Sequence, residues 1–468
     1  MPHLTIPIKP DRADVQKNGI VLAAEHPLFS KSALRRLLIP LVIEQVLVML
    51  VGMVDTAMVS KTGEAAVSGV ALADMANYLI ITVMAALTTG GSVIISQYAG
   101  SRKSDRAERA AGQLMAVTAA LSAIILAVCL PGSRAILRLF FGAVDPDVME
   151  AARVYFLVTA CSFPFLGIYD AAAALYRVMG KTRVTMYVSL AMNVINVAGD
   201  FIGVFLLHQG VLGVAVPTLL SRAFSAATMT FLAFGKRNSI RLVRRNILVW
   251  DGEIVRRILR IAVPNGVENG LFALGRVLVT SIVAGFGTVQ IAANGVANSV
   301  DQIAIMVVSA VNLAVVPVVG RCVGADEYGQ ARYYTKKLMK VSYLTTLALG
   351  GLVGAALPGL LRLYDLPPDT LRLASVLIFA HNLLAFLLHP TSFNLAGSLR
   401  AAGDARYTME VGIGSMVVFR LGTALLLGKR LGLGIFGVWS AMGMDWLARS
   451  IAFLLRWRSG RWQDCRAV

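Results

Sequence analysis

Residues 40–63 read PLVIEQVLVMLVGMVDTAMVSKTG, and residues 264–287 read PNGVENGLFALGRVLVTSIVAGFG. A shift of 224 positions lays one on the other without a gap, so that Pro40 falls on Pro264, Glu44 on Glu268 and Gly63 on Gly287. The register holds to residue 121, where it has also laid Gly100 on Gly324, Ala107 on Ala331 and Leu114-Met115 on Leu338-Met339. Farther along, a shift of 223 lays Arg177, Gly180, Arg183, Thr185-Met186 and Val188 on Arg400, Gly403, Arg406, Thr408-Met409 and Val411. The chain is a duplication of one apolar unit. Duplicated, hydrophobic, helix-rich chains are what secondary transporters are built from, with substrate and ion sites near the interface between repeats.

Composition fixes the solvent. Of 468 residues, 57% are hydrophobic and 15% charged, against about 25% charged in an ordinary soluble domain. Apolar runs of about 20 residues read as membrane helices. They fall at 37–60, 70–99, 113–137, 149–176, 184–207, 211–235, 261–286, 289–320, 338–361, 370–399, 407–428 and 434–455. The runs are continuous rather than alternating, which excludes a β-barrel. The expected fold is an all-α polytopic membrane protein with twelve transmembrane helices in two parallel-repeat six-helix bundles. An even number of spans per unit gives both units the same orientation, related by an axis along the membrane normal.

The net charge is +18. On a soluble protein this would suggest nucleic acid, but its placement argues otherwise and no nucleic-acid partner is expected. Loops on one side hold 32 Lys and Arg, those on the other hold 7, and 5 (Arg153, Arg222, Arg276, Arg420 and Arg449) lie within spans. The positive-inside rule places both termini and the 236–260 connector in the cytoplasm, with the basic excess available to anionic lipid headgroups. The expected organisation is a cytoplasmic tail (1–31), a six-helix lobe (32–235), a basic connector with an interfacial helix over 253–261 (236–260), a second six-helix lobe (261–458) and a cytoplasmic tail (459–468). The first 30 residues are polar and broken by Pro2, Pro7, Pro10 and Pro27, unlike a cleavable signal. Cys129, Cys161, Cys322 and Cys465 have no metal or redox spacing. No G-x-x-x-x-G-K-[ST] phosphate loop is present, so ATP is not expected to drive the protein.

Polar groups inside the spans carry the functional signal, because an ionisable residue costs at least about 2.5 kcal/mol to insert. Asp55 in span 1, Asp200 in span 5 and Thr218 in span 6 each fall roughly 10 Å below the external surface at about 1.5 Å per residue. Asn193, Asn196 and Asp200 follow i, i+3, i+7 spacing and share one helix face. Two carboxylates, a carboxamide and a hydroxyl at one depth suit a hard cation such as Na+. They equally suit H+, since a shared proton relieves the repulsion between buried carboxylates. The duplicate positions are Val279, Phe419, Thr423 and Met442, so the fold alone does not demand this set. The second half offers a candidate substrate cleft of Asn265, Glu268, Asn269, Asp301 and His389, with Asn294, Asn298 and Asp301 on one face of span 8 and His381 also in span 10. Arg420 and Asp445 in neighbouring spans are expected to form a structural ion pair, and Arg276 is offered Asp301 as a partner. Prolines within spans, Pro40, Pro164, Pro217, Pro264, Pro317 and Pro390, allow bends.

At these residues the chain resembles the MATE family, the multidrug and toxic compound extrusion transporters. Val54-Asp55-Thr56-Ala57-Met58-Val59, with Pro40 fifteen residues upstream, is similar to the family's first-helix segment. Asn196-x-x-x-Asp200 with Thr218 resembles its N-lobe cation cluster, and Glu268 the acid of its seventh helix. Arg177-Val-Met-Gly180 and Leu399-Arg-Ala-Ala-Gly-Asp404 resemble the paired motifs after helices 4 and 10. One departure is clear: where some members carry an Asp eleven residues before that second Arg, this chain has His389. The resemblance implies two six-helix bundles around a central cleft, and efflux of organic, often cationic, compounds in exchange for H+ or Na+. It implies a bacterial cytoplasmic membrane, no cofactor beyond the coupling ion, and a monomer. A lipid-linked sugar flippase of the same superfamily is the alternative, kept open by Arg276 and Arg420. No nucleophile–base or metal constellation points to an enzyme, and a channel has no need of a one-sided carboxylate pair.

Overall fold

The computed structural model describes residues 27–142, 144–362 and 366–468, so the expected N-terminal tail lies almost wholly outside the described residues. The first lobe consists of α1 (Lys31–Val59), α2 (Glu64–Gly100), α3 (Ser104–Phe141), α4 (Pro146–Cys161), α5 (Phe163–Val178), α6 (Thr182–Phe201) and α7 (Leu212–Ala233). A short helix α8 (Arg244–Leu248) precedes the second lobe. That lobe runs α9 (Gly252–Ala284), α10 (Thr288–Gly324), α11 (Tyr328–Leu361), α12 (Pro368–His389), α13 (Leu395–Ala402), α14 (Ala405–Ser415) and α15 (Gly434–Ser459). Wide π turns join α12 to α13 at Pro390–Asn394 and extend α14 over Met416–Gly422 and Ala424–Arg430.

Among the described residues ten helical segments are long and apolar enough to cross a membrane, and α4 with α5, bent by 45°, makes an eleventh. The bend falls at Ser162, just before Pro164, whose ring cannot continue the preceding helix. The twelfth crossing is α15, 26 residues long, whose apolar run is interrupted by the buried Asp445 and Arg449. The chain is a multi-pass membrane protein.

Helix ends follow local chemistry. Ser30 Oγ accepts from Ala33 N at 3.0 Å at the start of α1, and Asp251 Oδ1 accepts from Ile254 N at 3.2 Å at the start of α9. Duplicated glycines mark duplicated turns: Gly63 and Gly287 have φ of 107° and 95°, and Gly180 and Gly403 have φ of 75° and 104°. The expected separate interfacial helix over 253–261 is not formed. Asp251 caps a helix that runs unbroken to Ala284, and Ile254, Val255, Ile258 and Ile261 are buried against the first lobe. With its apolar face already covered by protein, that stretch has none left for the membrane surface.

The two lobes exchange their first helices at the end that carries the basic loops. Leu34, Leu37 and Leu41 of α1 sit in a core made with α10, α11 and α13 of the second lobe. Reciprocally, the start of α9 joins a core made with α2, α3 and α5 of the first lobe. At the opposite end the cores are separate, one built from first-lobe residues only and the other from second-lobe residues only. Joined at one end and parted at the other, the lobes enclose a cavity of about 670 Å³ lined from both sides.

Candidate functional site: a carboxylate pair beside a central cleft

The sequence-predicted cation set comes together. Asp200 is fully buried on α6, and its carboxyl lies within hydrogen-bonding reach of that of Asp55 on α1. Asn196 Nδ2 donates to Asp200 Oδ1 and to Thr218 Oγ1, both at 3.3 Å. Asp55 Oδ1, Asp200 Oδ2 and the buried Asn193 Nδ2 have no hydrogen-bond partner among the described residues. Four oxygen-bearing side chains from α1, α6 and α7 thus converge, two of them carboxylates in contact. The arrangement can take a proton or a small hard cation as substrate, either of which cancels the repulsion between the carboxylates.

Sequence reasoning missed the neighbours of this set. Arg222 on α7 donates to Ser162 Oγ at 2.7 Å, at the bend between α4 and α5. It lies within Coulombic reach of Asp74 on α2, Asp170 on α5 and Asp55. The signal was available, because Asp74 and Asp170 are also carboxylates inside apolar runs. By the repeat registers their duplicates are Asn298 and Phe393, and that of Arg222 is Trp446. The charges of the first lobe are replaced by amide and aromatic groups in the second.

Toward the joined end, the repeat produces matching ion pairs. Arg177 Nη2 meets Glu44 Oε1 at 2.8 Å, and Arg400 Nη1 meets Glu268 Oε2 at 3.1 Å. All four side chains line the central cavity. Thr185 Oγ1 donates to Glu44 at 3.1 Å, while Arg400 donates to Asn265 Oδ1 at 2.9 Å. Asn269 lines the same wall.

The second-lobe residues gather in an adjoining chamber of about 240 Å³ that shares Phe272, Asn312 and Phe393 with the main cavity. Asp301 Oδ1 stands 3.1 Å from His381 Nδ1, so Asp301 is not the partner of Arg276. Arg276 has no side-chain ion pair or hydrogen bond among the described residues. His389 stacks on Phe393 with ring centroids 4.3 Å apart and meets Trp446 edge-on at 5.0 Å. The expected pair forms with Arg420 Nη1 3.6 Å from Asp445 Oδ2, but Arg449, one helical turn along α15, holds Asp445 Oδ1 at 2.9 Å. Arg449 also donates to Gly412 O at 3.0 Å and approaches Glu268 at 4.0 Å. An Asp and an Arg spaced i, i+4 on one helix could have been read as partners from the sequence.

The chain matches the MatE family model twice, over residues 40–202 and 264–426. It belongs to the MatE family. The two matched segments are offset by 224 residues at both ends, the shift that aligns the sequence with itself. The chain is 28% identical over 451 residues to the "Uncharacterized transporter YisQ" of Bacillus subtilis, covering 94% of this chain and 97% of that protein. It is 27% identical over 444 residues to the "Probable multidrug resistance protein NorM" of Thermotoga maritima, covering 94% of each. Among solved structures, a MATE crystal structure "in the bent conformation" superposes with a TM-score of 0.85 at 21% identity, covering 96% of this chain and 99% of that one. A MOP superfamily transporter from Pyrococcus furiosus also gives 0.85, at 22% identity, covering 92% and 96%. These likenesses establish the MatE transporter fold.

Proposed function

We propose that this MatE protein is a secondary active efflux transporter that exports organic compounds, organic cations among them, in antiport with H+ or Na+. The observation that carries the proposal is the Asp55–Asp200 contact, in which two carboxylates face each other with oxygens that lack a donor. The printed name of the Thermotoga maritima relative, a multidrug resistance protein, is consistent with it. The excess of Lys and Arg in the loops of the joined end supports a cytoplasmic position for that end under the positive-inside rule. The cleft then opens outward, and the cation set is reached from outside. One chain encloses the cleft, so a monomer suffices.

The coupling runs through α1. Its first turns are fixed in the second lobe by Leu34, Leu37 and Leu41, whereas Asp55 near its far end faces α6 of the first lobe. Pro40 lies within this anchored stretch, one residue before Leu41, and removes one backbone hydrogen bond, making a bend there cheap. A proton or Na+ at Asp55 and Asp200 draws α1 onto α6 and alters how α1 is held against the second lobe. A ligand shifts a conformational equilibrium only by its differential affinity for the two states. Cation entry and release of the organic compound are therefore reciprocally linked.

The test is efflux of a fluorescent organic cation from reconstituted vesicles under a pH gradient alone or a Na+ gradient alone, wild type beside Asp55→Asn. Efflux driven by one gradient and lost in the variant supports the antiport and names its ion. No efflux under either gradient overturns it, and lipid-linked sugars become the next substrates to try.

A further inference from the structure

The chamber in the second lobe has an electrostatic character that cation export does not explain. Its charged lining consists of two arginines, Arg276 and Arg420, and one carboxylate, Asp301, which is already 3.1 Å from His381. Arg276 is unpaired among the described residues and exposed to the cleft. Arg420 is nearly buried, stands 3.6 Å from a carboxylate that Arg449 holds more closely, and has an Nε with no acceptor. The two guanidinium groups are near enough for each to feel the other's charge. A second buried donor, Trp446 Nε1, also lacks an acceptor among the described residues. The unpaired Arg276 beside these unmet donors can take an anion, which a planar guanidinium binds through two parallel hydrogen bonds, while unmet acceptors on Asp301, Asn312 and Asn394 can take a donor of the same compound.

The remaining walls are aromatic. His389 and Phe393 form a stack at 4.3 Å, Trp446 closes it edge-on at 5.0 Å from His389, and Phe272 stands edge-on to Phe393 at 6.3 Å. Arg420 and Arg449 lie over the Phe272 ring at 5.6 and 5.1 Å, so cationic and aromatic surfaces alternate. Both chain segments that carry these groups are π turns, Pro390–Asn394 for Phe393 and Met416–Gly422 for Arg420. Such widened turns occur often at functional sites. At about 240 Å³ the chamber has room for one substituted aromatic ring.

We infer that this chamber binds a single-ring aromatic acid, its carboxylate or sulfonate between Arg276 and Arg420 and its ring against His389, Phe393 and Trp446. The inference deepens the transporter reading by naming a substrate class, and rests on that reading only for the step in which the bound acid is carried. With the Asp55 and Asp200 carboxylates in the first lobe and the Arg276 and Arg420 guanidinium groups in the second, the protein can hold both ends of an amphoteric compound.

The test measures binding to the purified full-length protein in detergent, with no gradient, so failed antiport and failed acid binding are separate results. The probe is 3,5-dinitrobenzoate, whose ring quenches tryptophan fluorescence, compared with the isosteric neutral 3,5-dinitrobenzamide. The expected result is saturable quenching by the carboxylate, with the amide at least about tenfold weaker. Arg276→Gln weakens the carboxylate by a similar factor, Arg276→Lys retains part of the affinity, and Trp439→Phe with Trp446→Phe, which removes both tryptophans of the chamber, removes most of the signal. Asn298→Asp, at the exposed rim of the same chamber, places a competing negative charge there and also weakens binding; it stands in if Arg276→Gln does not fold. Equal affinity for acid and amide, unchanged affinity in folded Arg276→Gln and Asn298→Asp, or quenching that survives the joint Trp439→Phe and Trp446→Phe change would each overturn the inference.

Discussion

Gly100 and Gly324, duplicates of each other, meet the opposite lobe's backbone at the point where the lobes are joined. A Cβ on Gly100 would stand 2.1 Å from Arg321 O, and one on Gly324 would stand 2.0 Å from Gln97 O. Helices associate in membranes largely through packing, and glycine lets backbones approach closely. Gln97 reinforces the seal by donating to Ala401 O at 2.8 Å and accepting from Ala467 N at 3.0 Å. The closed end is therefore held by backbone contact that any larger side chain forbids.

Gly100→Leu should keep both lobes folded but prevent this seal from closing. Spin labels at Lys103→Cys and Glu327→Cys, both exposed on opposite sides of it, should report a longer distance in the variant. An unchanged distance with full transport would show that the contact is incidental.

Asp200→Asn and Thr218→Ala should separate within the cation set. The first removes a carboxylate that contacts Asp55 and should abolish gradient-driven efflux at normal yield. The second removes one hydroxyl that accepts from Asn196 at 3.3 Å and should weaken transport without abolishing it. Full transport by Asp200→Asn would remove the pair from the mechanism.

Arg177→Gln leaves Glu44 buried without its cation, with side-chain exposures of 14% and 5% in the native pair. Breaking one side of such a pair costs about 3–5 kcal/mol. The midpoint of thermal unfolding in detergent should fall clearly, and Arg177→Gln with Glu44→Gln should recover part of the loss. A double variant no better than the single one would mean the side chains act independently.

Asp445→Asn strips the fully buried carboxylate from between Arg420 and Arg449. Two guanidinium groups then share a buried site with only Glu268, 4.0 Å from Arg449, as counter-charge, so lower yield and a lower melting temperature are expected. Normal yield with lost transport would instead place Asp445 in the transport machinery.

The sequence alone determined what depends on local composition and on comparison of the chain with itself. Apolar runs fixed membrane-crossing helices, because the bilayer rewards length and hydropathy wherever the helix packs. The duplication fixed two equivalent lobes. The Asp55, Asn196, Asp200 and Thr218 set was legible because buried polar groups are costly and their duplicates are Val, Phe, Thr and Met. Only the tertiary structure decided which partners meet. Arg276 and Asp301 were offered to each other, yet Asp301 went to His381 and Asp445 is shared by two arginines. Nor does hydropathy reveal that α1 and α9 cross into the opposite lobe's core, or that the stretch over 253–261 is the start of a spanning helix rather than a surface one. Charge pairing and helix exchange depend on distances between segments far apart in the chain. Those distances are set by packing, whose small free-energy differences no single segment encodes.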